Sequence, residues 1–265
     1  MPLILFGSPK GGVGKTTTAA NVSAVLAQAG FRVVVLDLDP QNALRLHFGV
    51  PLHDGTGFAT ALISETPTQP LTAFLRQTQW GIGLLPFGQV DTVGAMAVAN
   101  ALARRPQPLT QLLQDLLADP RLIVIVDSPP GPSSALAAVL PYTDMLVCVL
   151  LADAISVSLI PSIEAGRAFG PGTQQGVEGG RLRYVLNQFD PLSRLSQATA
   201  EAVRPYLGAR LLGEVRRDEL VAEAGAGQCP LPYFAPTSIA AADIRGIAQN
   251  IAAAFGMMAQ SETMR

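Results

Sequence analysis

Lysine is nearly missing from this chain. Of its 18 basic residues among 265, only Lys10 and Lys15 are lysines, and the others are all arginines. Charge of either sign is scarce: 14% of residues are charged and the net charge is −2, so nothing in the bulk electrostatics suggests a polyanion-binding protein. Long apolar runs are absent as well. The longest strongly apolar stretch, Met145–Ala152, has strand length and falls well short of the ~20 residues a membrane-spanning helix needs. Two cysteines, Cys148 inside that stretch and Cys229 beside Pro230, are too few for a disulfide-built scaffold and read as unpaired thiols in a reducing compartment. The first residues run into an apolar segment without a basic stretch or cleavage site, so a cytoplasmic protein without a secretory signal is expected.

What is present is apolar residue in short, regularly spaced runs. At 265 residues and 49% hydrophobic, the chain can bury a core as a single α/β domain over 1–265. Strand-like runs recur at Leu3–Gly7, Val33–Leu38, Ile82–Leu85, Leu122–Val126, Met145–Leu151, Leu182–Leu186 and Leu211–Val215, with helix-length segments between most of them. That alternation predicts a mostly parallel central sheet with helices on both faces. Pro106 and Pro108 should split the helical region Ala95–Ala118 in two, and Gly170–Gly180 reads as a surface connector.

Both lysines fall in one loop, Ser8-Pro9-Lys10-Gly11-Gly12-Val13-Gly14-Lys15-Thr16-Thr17-Thr18, between the first apolar run and a helix expected over Thr16–Ala29. Arginine is a planar fork, whereas lysine is a compact charge on a flexible stem that reaches between phosphate oxygens. Glycines let successive N–H groups turn inward around an anion, and the helix N-terminus adds its partial positive charge. The loop therefore reads as a phosphate cradle, with Lys15 for the β- and γ-phosphates and the Thr16 hydroxyl for Mg²⁺. Pro9 stands where the general pattern has a glycine, which stiffens the start of the loop and removes a donor.

Ligands of open α/β sheets sit beyond the carboxyl ends of the strands, and two runs place carboxylates there. In Val33-Val34-Val35-Leu36-Asp37-Leu38-Asp39-Pro40-Gln41, alternating aspartates close a strand. In Leu122-Ile123-Val124-Ile125-Val126-Asp127-Ser128-Pro129-Pro130-Gly131, Asp127 closes another before a tight turn. Beside a phosphate loop, such carboxylates supply ligands to Mg²⁺ or its waters and a group to orient attacking water.

The loop KGGVGKTTT, the DLDPQ after it and the later DSPPG, in that order, resemble the deviant Walker A ATPases of the MinD/ParA group over essentially the whole chain. The resemblance implies a P-loop NTPase fold that binds ATP through Lys10, Gly11, Gly12, Val13, Gly14, Lys15, Thr16 and Thr17, the last on the α-phosphate side. It implies that Asp39 positions or activates the hydrolytic water, and that Asp37 and Asp127 act around the metal shell with Thr16. It implies a homodimer enclosing two ATP molecules, in which Lys10 reaches into the partner's nucleotide site while Lys15 serves its own. Asn187, closing the run Arg183–Phe189, matches the adenine-reading position, and Pro236 matches the base-flanking loop.

Within that group, the arginines are too scattered for the basic patches of DNA-partitioning members, so no DNA binding is expected. The stripe Ile244, Ile247, Ile251, Phe255 and Met258 carries too few cations for the membrane helix of MinD and reads as core packing. Neither cysteine is placed as in the iron-sulfur relatives. The stretches LRLHFGV (Leu44–Val50), LLPFGQV (Leu84–Val90) and RRDELVAEA (Arg216–Ala224) look like the BcsQ (YhjQ) family of bacterial cellulose-secretion operons. That likeness implies a slow, dimeric switch ATPase that supports assembly or localisation of the cellulose synthase through Bcs partner proteins, recruited to the cytoplasmic face of the inner membrane. The alternatives are an ATP-locked scaffold of the same complex and a ParA/MinD-type partitioning or positioning ATPase.

Overall fold

The structure is a computed structural model describing residues 2–64, 69–170, 174 and 179–257. Among the described residues, eight strands form one sheet: β1 (Leu3–Gly7), β2 (Arg32–Asp37), β3 (Arg76–Gln77), β4 (Ile82–Leu85), β5 (Leu122–Asp127), β6 (Met145–Leu151), β7 (Leu182–Phe189) and β8 (Leu211–Arg216). Their spatial order is β3-β4-β2-β5-β1-β6-β7-β8, and every neighbouring pair is parallel except β3 with β4.

Apart from Arg32 and the strand-end Asp37 and Asp127, the central strands β2, β5, β1 and β6 are apolar because both of their faces are covered. In β6, Leu146, Cys148 and Leu150 pack into one core with the helices Gln107–Leu117 and Arg194–Leu207, while Met145, Val147 and Val149 pack into a second. The second core is built on α1 (Lys15–Gln28) and the helix Ile239–Ala254. Strands buried on both faces lose the period-two polarity signal and keep only their β-branched and leucine content. Cys148 and Cys229 are both free thiols, and burial pushes both upward in pKa.

The seven expected strands are all present. The eighth, β3, is a two-residue antiparallel edge too short to leave a pattern. The helical region around Pro106 is split as expected, into Thr92–Arg104 and Gln107–Leu117. Ile244, Ile247 and Ile251 are buried in the core. Most of the Gly170–Gly180 connector, and Met258, lie outside the described residues. Among the described residues, no helix is long and apolar enough to cross a membrane.

Candidate functional site

The carboxyl ends of β1, β2, β5 and β7 converge on the loop Pro9–Gly14. Gly12 and Gly14 take φ of +75° and +82°, in the left-handed region that L side chains seldom occupy. Gly14 is the N-cap of α1, no side chain caps that end, and no acidic residue lies in its first turn. A helix start left open in this way, with its positive dipole end facing the loop, suits an anion.

Lys15 begins the helix with its side chain only 7% exposed. Its ammonium donates to Asp127 Oδ1 at 2.6 Å and stands 4.0 Å from Asp39 Oδ2. The Thr16 hydroxyl donates to the other oxygen of Asp127 at 2.7 Å. One carboxylate therefore holds both the lysine and the threonine of the loop.

β2 and β5 are in register with Asp37 opposite Asp127, so two buried carboxylates stand side by side at the sheet's carboxyl edge. Burial raises the pKa of both. The neighbouring Asp127 charge raises Asp37 further, whereas the Lys15 ammonium opposes the rise at Asp127. Asp37 accepts the backbone N–H of Asp39 at 3.0 Å and of Leu44 at 3.1 Å. Its two oxygens thus hold the loop 38–44 in shape, so Asp37 sets where Asp39 sits. Asp39 accepts the Gln41 N–H at 3.0 Å through Oδ1, leaving Oδ2 toward Lys15. Asn42, in the same loop, is buried at φ +50°, and neither side-chain amide atom has a hydrogen-bond partner among the described residues.

The turn after Asp127 folds onto the phosphate loop. Gly131 N–H donates to the Ser8 carbonyl at 2.8 Å, and the Ser128 hydroxyl donates to the Phe6 carbonyl at 2.9 Å. Lys10 is more exposed than Lys15 and lies 3.9 Å from Asp153 Oδ2. Asp153 also caps the short helix Ala154–Val157 by accepting the Ser156 N–H.

A cavity of about 460 Å³ opens beyond Gly14 and Thr17. Asn187 and Gln188 line it, at an irregularity in the β7–β8 pairing where Gln188 takes φ +55°. Such irregularities re-aim side chains at the ends of strands. Further wall comes from His47, whose pKa burial lowers to about 4, and from Arg216 and Asp218 after β8. Pro236 is not among the residues lining this cavity; its carbonyl instead accepts Arg245 Nη1 at 2.8 Å. Val215–Glu219 line the cavity together with Asn187 and Gln188. His47 and Arg216–Glu219 fall in stretches that the sequence marks only by family likeness, and Gln188 follows Asn187; nothing local in the sequence places them beside Gly14.

Among the described residues, no group of three or more His, Cys, Asp or Glu is arranged to hold a metal unaided. A Thr hydroxyl with one adjacent carboxylate suits a Mg²⁺ ion that takes its other ligands from phosphate and water.

A family model described as "Cellulose biosynthesis protein BcsQ" matches residues 1–251. The chromosome-partitioning ATPase Soj of Thermus thermophilus is 30% identical over 257 residues, covering 94% of this chain and 95% of Soj. The fold is that of the MinD/ParA P-loop NTPases. MinD of Pyrococcus horikoshii, solved with Mg-ADP, superposes with a TM-score of 0.75 at 20% identity, covering 96% of this chain and 97% of its own. McdA of Cyanothece, solved as a variant in complex with ATP, gives a TM-score of 0.74 at 20% identity, with 97% of each chain covered.

Proposed function

The chain belongs to the BcsQ family of cellulose biosynthesis proteins, and from that premise we propose that it is a slow, ATP-dependent dimeric switch serving the assembly or positioning of a cellulose-secretion complex. The observation that carries this reading is the shared grip of Asp127 on the Lys15 ammonium and the Thr16 hydroxyl, set at an uncapped helix start behind left-handed glycines. These groups fit a nucleoside triphosphate with Mg²⁺: open N–H donors, one ammonium, one hydroxyl and one carboxylate around a single point.

In this reading the N–H groups of Gly11–Lys15 and the Lys15 ammonium bind the β- and γ-phosphates, and Thr17 lies on the α-phosphate side. Thr16 would hold Mg²⁺ directly, with Asp127, Asp39 and, through the loop it braces, Asp37 ordering the surrounding shell. Bound there, the ion would neutralise charge that builds on the phosphate oxygens. Asp39 Oδ2 orients water for attack on the γ-phosphorus; the bond to the β–γ bridging oxygen breaks, and ADP is the leaving group. Asn187 faces the base. Lys10, which is exposed and not committed to the Asp127 cluster, completes the site of a second copy across a two-fold axis. The chain would act in the cytoplasm, reaching the inner membrane only through Bcs partner proteins.

A partitioning role like that of Soj would require a cationic DNA face. Arg32, Arg76, Arg204, Arg210 and Arg216 each sit against a carboxylate, which favours the secretion-complex reading. Sedimentation of the purified protein with Mg²⁺ and ATP or ADP, followed by assay for ADP release, tests the switch. Dimers with ATP, monomers with ADP and slow release of ADP are expected. Dimers without any ADP release would mean a locked scaffold, and no nucleotide-dependent change in mass would defeat the proposal.

A further inference from the structure

The 460 Å³ cavity carries a recognition element that neither the phosphate-loop motifs nor the family likeness assigns: Arg216, the last residue of β8. Its guanidinium forks onto Asp243 of the helix Ile239–Ala254, with Nε to Oδ2 at 2.9 Å and Nη2 to Oδ1 at 2.7 Å, and its backbone N–H donates to the same Oδ2 at 2.9 Å. Three donors of one residue are thus held by one carboxylate. Two guanidinium nitrogens are committed along one edge, which spends the fork that would otherwise clasp a phosphate. The flat faces of the cation remain, fixed in orientation, and Arg216 contributes to the cavity wall.

The rest of the lining suits a flat, partly apolar ligand. Val215, Val221, Ala222 and Ile244 supply apolar surface, and Asn187 supplies one amide at the end nearest the phosphate loop. A planar cation locked by a bidentate partner is a stacking platform for an aromatic ring, because little side-chain freedom is left to lose when the ring arrives.

We propose that Arg216 stacks its guanidinium on the base of the bound nucleoside triphosphate, with Asp243 as the positioning residue that holds it flat. This rests on the reading of the loop as a triphosphate site and adds the group that holds the base. The C-terminal helix is thereby coupled to nucleotide occupancy through Asp243.

Calorimetric titration with Mg-ATP and, separately, with Mg-tripolyphosphate separates base from phosphate contacts. Arg216→Met is expected to weaken Mg-ATP about tenfold while leaving Mg-tripolyphosphate unchanged. Arg216→Lys keeps the charge but not the plane, and should lose as much as Arg216→Met. Because Arg216→Met strands Asp243, the double variant Arg216→Met/Asp243→Leu removes both charges and should show the same selective loss, with its folding checked by thermal melting. Equal weakening of both ligands, no weakening of either, or full recovery by Arg216→Lys would overturn the stacking role. Failure of the wild-type protein to bind either ligand would instead defeat the triphosphate reading, and this inference with it.

Discussion

Asn187 donates its side-chain amide to the Val13 carbonyl at 2.7 Å, fastening the end of β7 to the phosphate loop. With one of its two N–H groups spent on that bond, Oδ1 is the atom proposed to meet a base, and an acceptor complements the exocyclic amino group of adenine rather than the O6 of guanine. ATP should therefore bind more tightly than GTP by about tenfold, the value of one discriminating hydrogen bond. Asn187→Ala should remove most of that preference. Competition titration of the two nucleotides measures both.

Gly14 is the tightest point of the same contact. A Cβ there would stand 2.2 Å from Asn187 Nδ2, at a backbone φ of +82°. Gly14→Ala must displace Asn187 or the loop, besides costing about 1–2 kcal/mol of left-handed strain. The variant should melt at a lower temperature and lose the upward shift that ATP gives the wild-type protein.

Lys15 and Asp127 form a buried ion pair, and removing one partner leaves the other charge without compensation. Lys15→Met should destabilise the protein by about 3–5 kcal/mol in urea titration and abolish the ATP-induced thermal shift. Adding Asp127→Asn removes the stranded carboxylate. The double variant should recover much of the stability and none of the nucleotide response, which separates the pair's structural role from its ligand role.

His47 carries a pH signature. Burial lowers its pKa from 6.5 to about 4, so on acidification the unfolded chain takes up this proton before the folded one does. Its contribution to stability is complete above about pH 6.5 and is lost as pH falls toward 4, with a slope approaching about 1.4 kcal/mol per pH unit. His47→Gln should flatten unfolding free energy across that window. A slope unchanged in the variant would assign the dependence to other groups.

The phosphate loop and the strand-end aspartates were legible because each rests on local chemistry: consecutive glycines before a helix, and a carboxylate closing an apolar run. The sheet was legible because strands buried on both faces are unbroken apolar runs. β3 was not, since its two residues pair only through the register of β4. The far wall of the cavity was hidden for the same reason. His47 sits on a short 3₁₀ helix and Arg216 ends a strand at the far edge of the sheet, and only the strand order brings both to Gly14. In the sequence Arg216–Ala224 is a family marker without a place, whereas the structure sets Arg216–Glu219 in the cavity wall. Asp37 was visible as an acid but not as a brace, because its partners are the backbone N–H groups of Asp39 and Leu44.

On the proposed mechanism the two lysines serve different copies of the chain, Lys15 its own nucleotide and Lys10 its neighbour's. Lys10→Ala and Asp39→Ala should each abolish ATP hydrolysis alone. When the two variants are mixed before ATP is added, half the dimers formed by random pairing are mixed, and in each the Lys10→Ala protomer keeps Asp39 and receives its partner's lysine. One intact site of two should restore roughly a quarter of wild-type hydrolysis. If Lys10 served its own nucleotide, no site in the mixture would hold both residues; absence of hydrolysis, with mixed dimers confirmed by cross-linking, would overturn this division of roles.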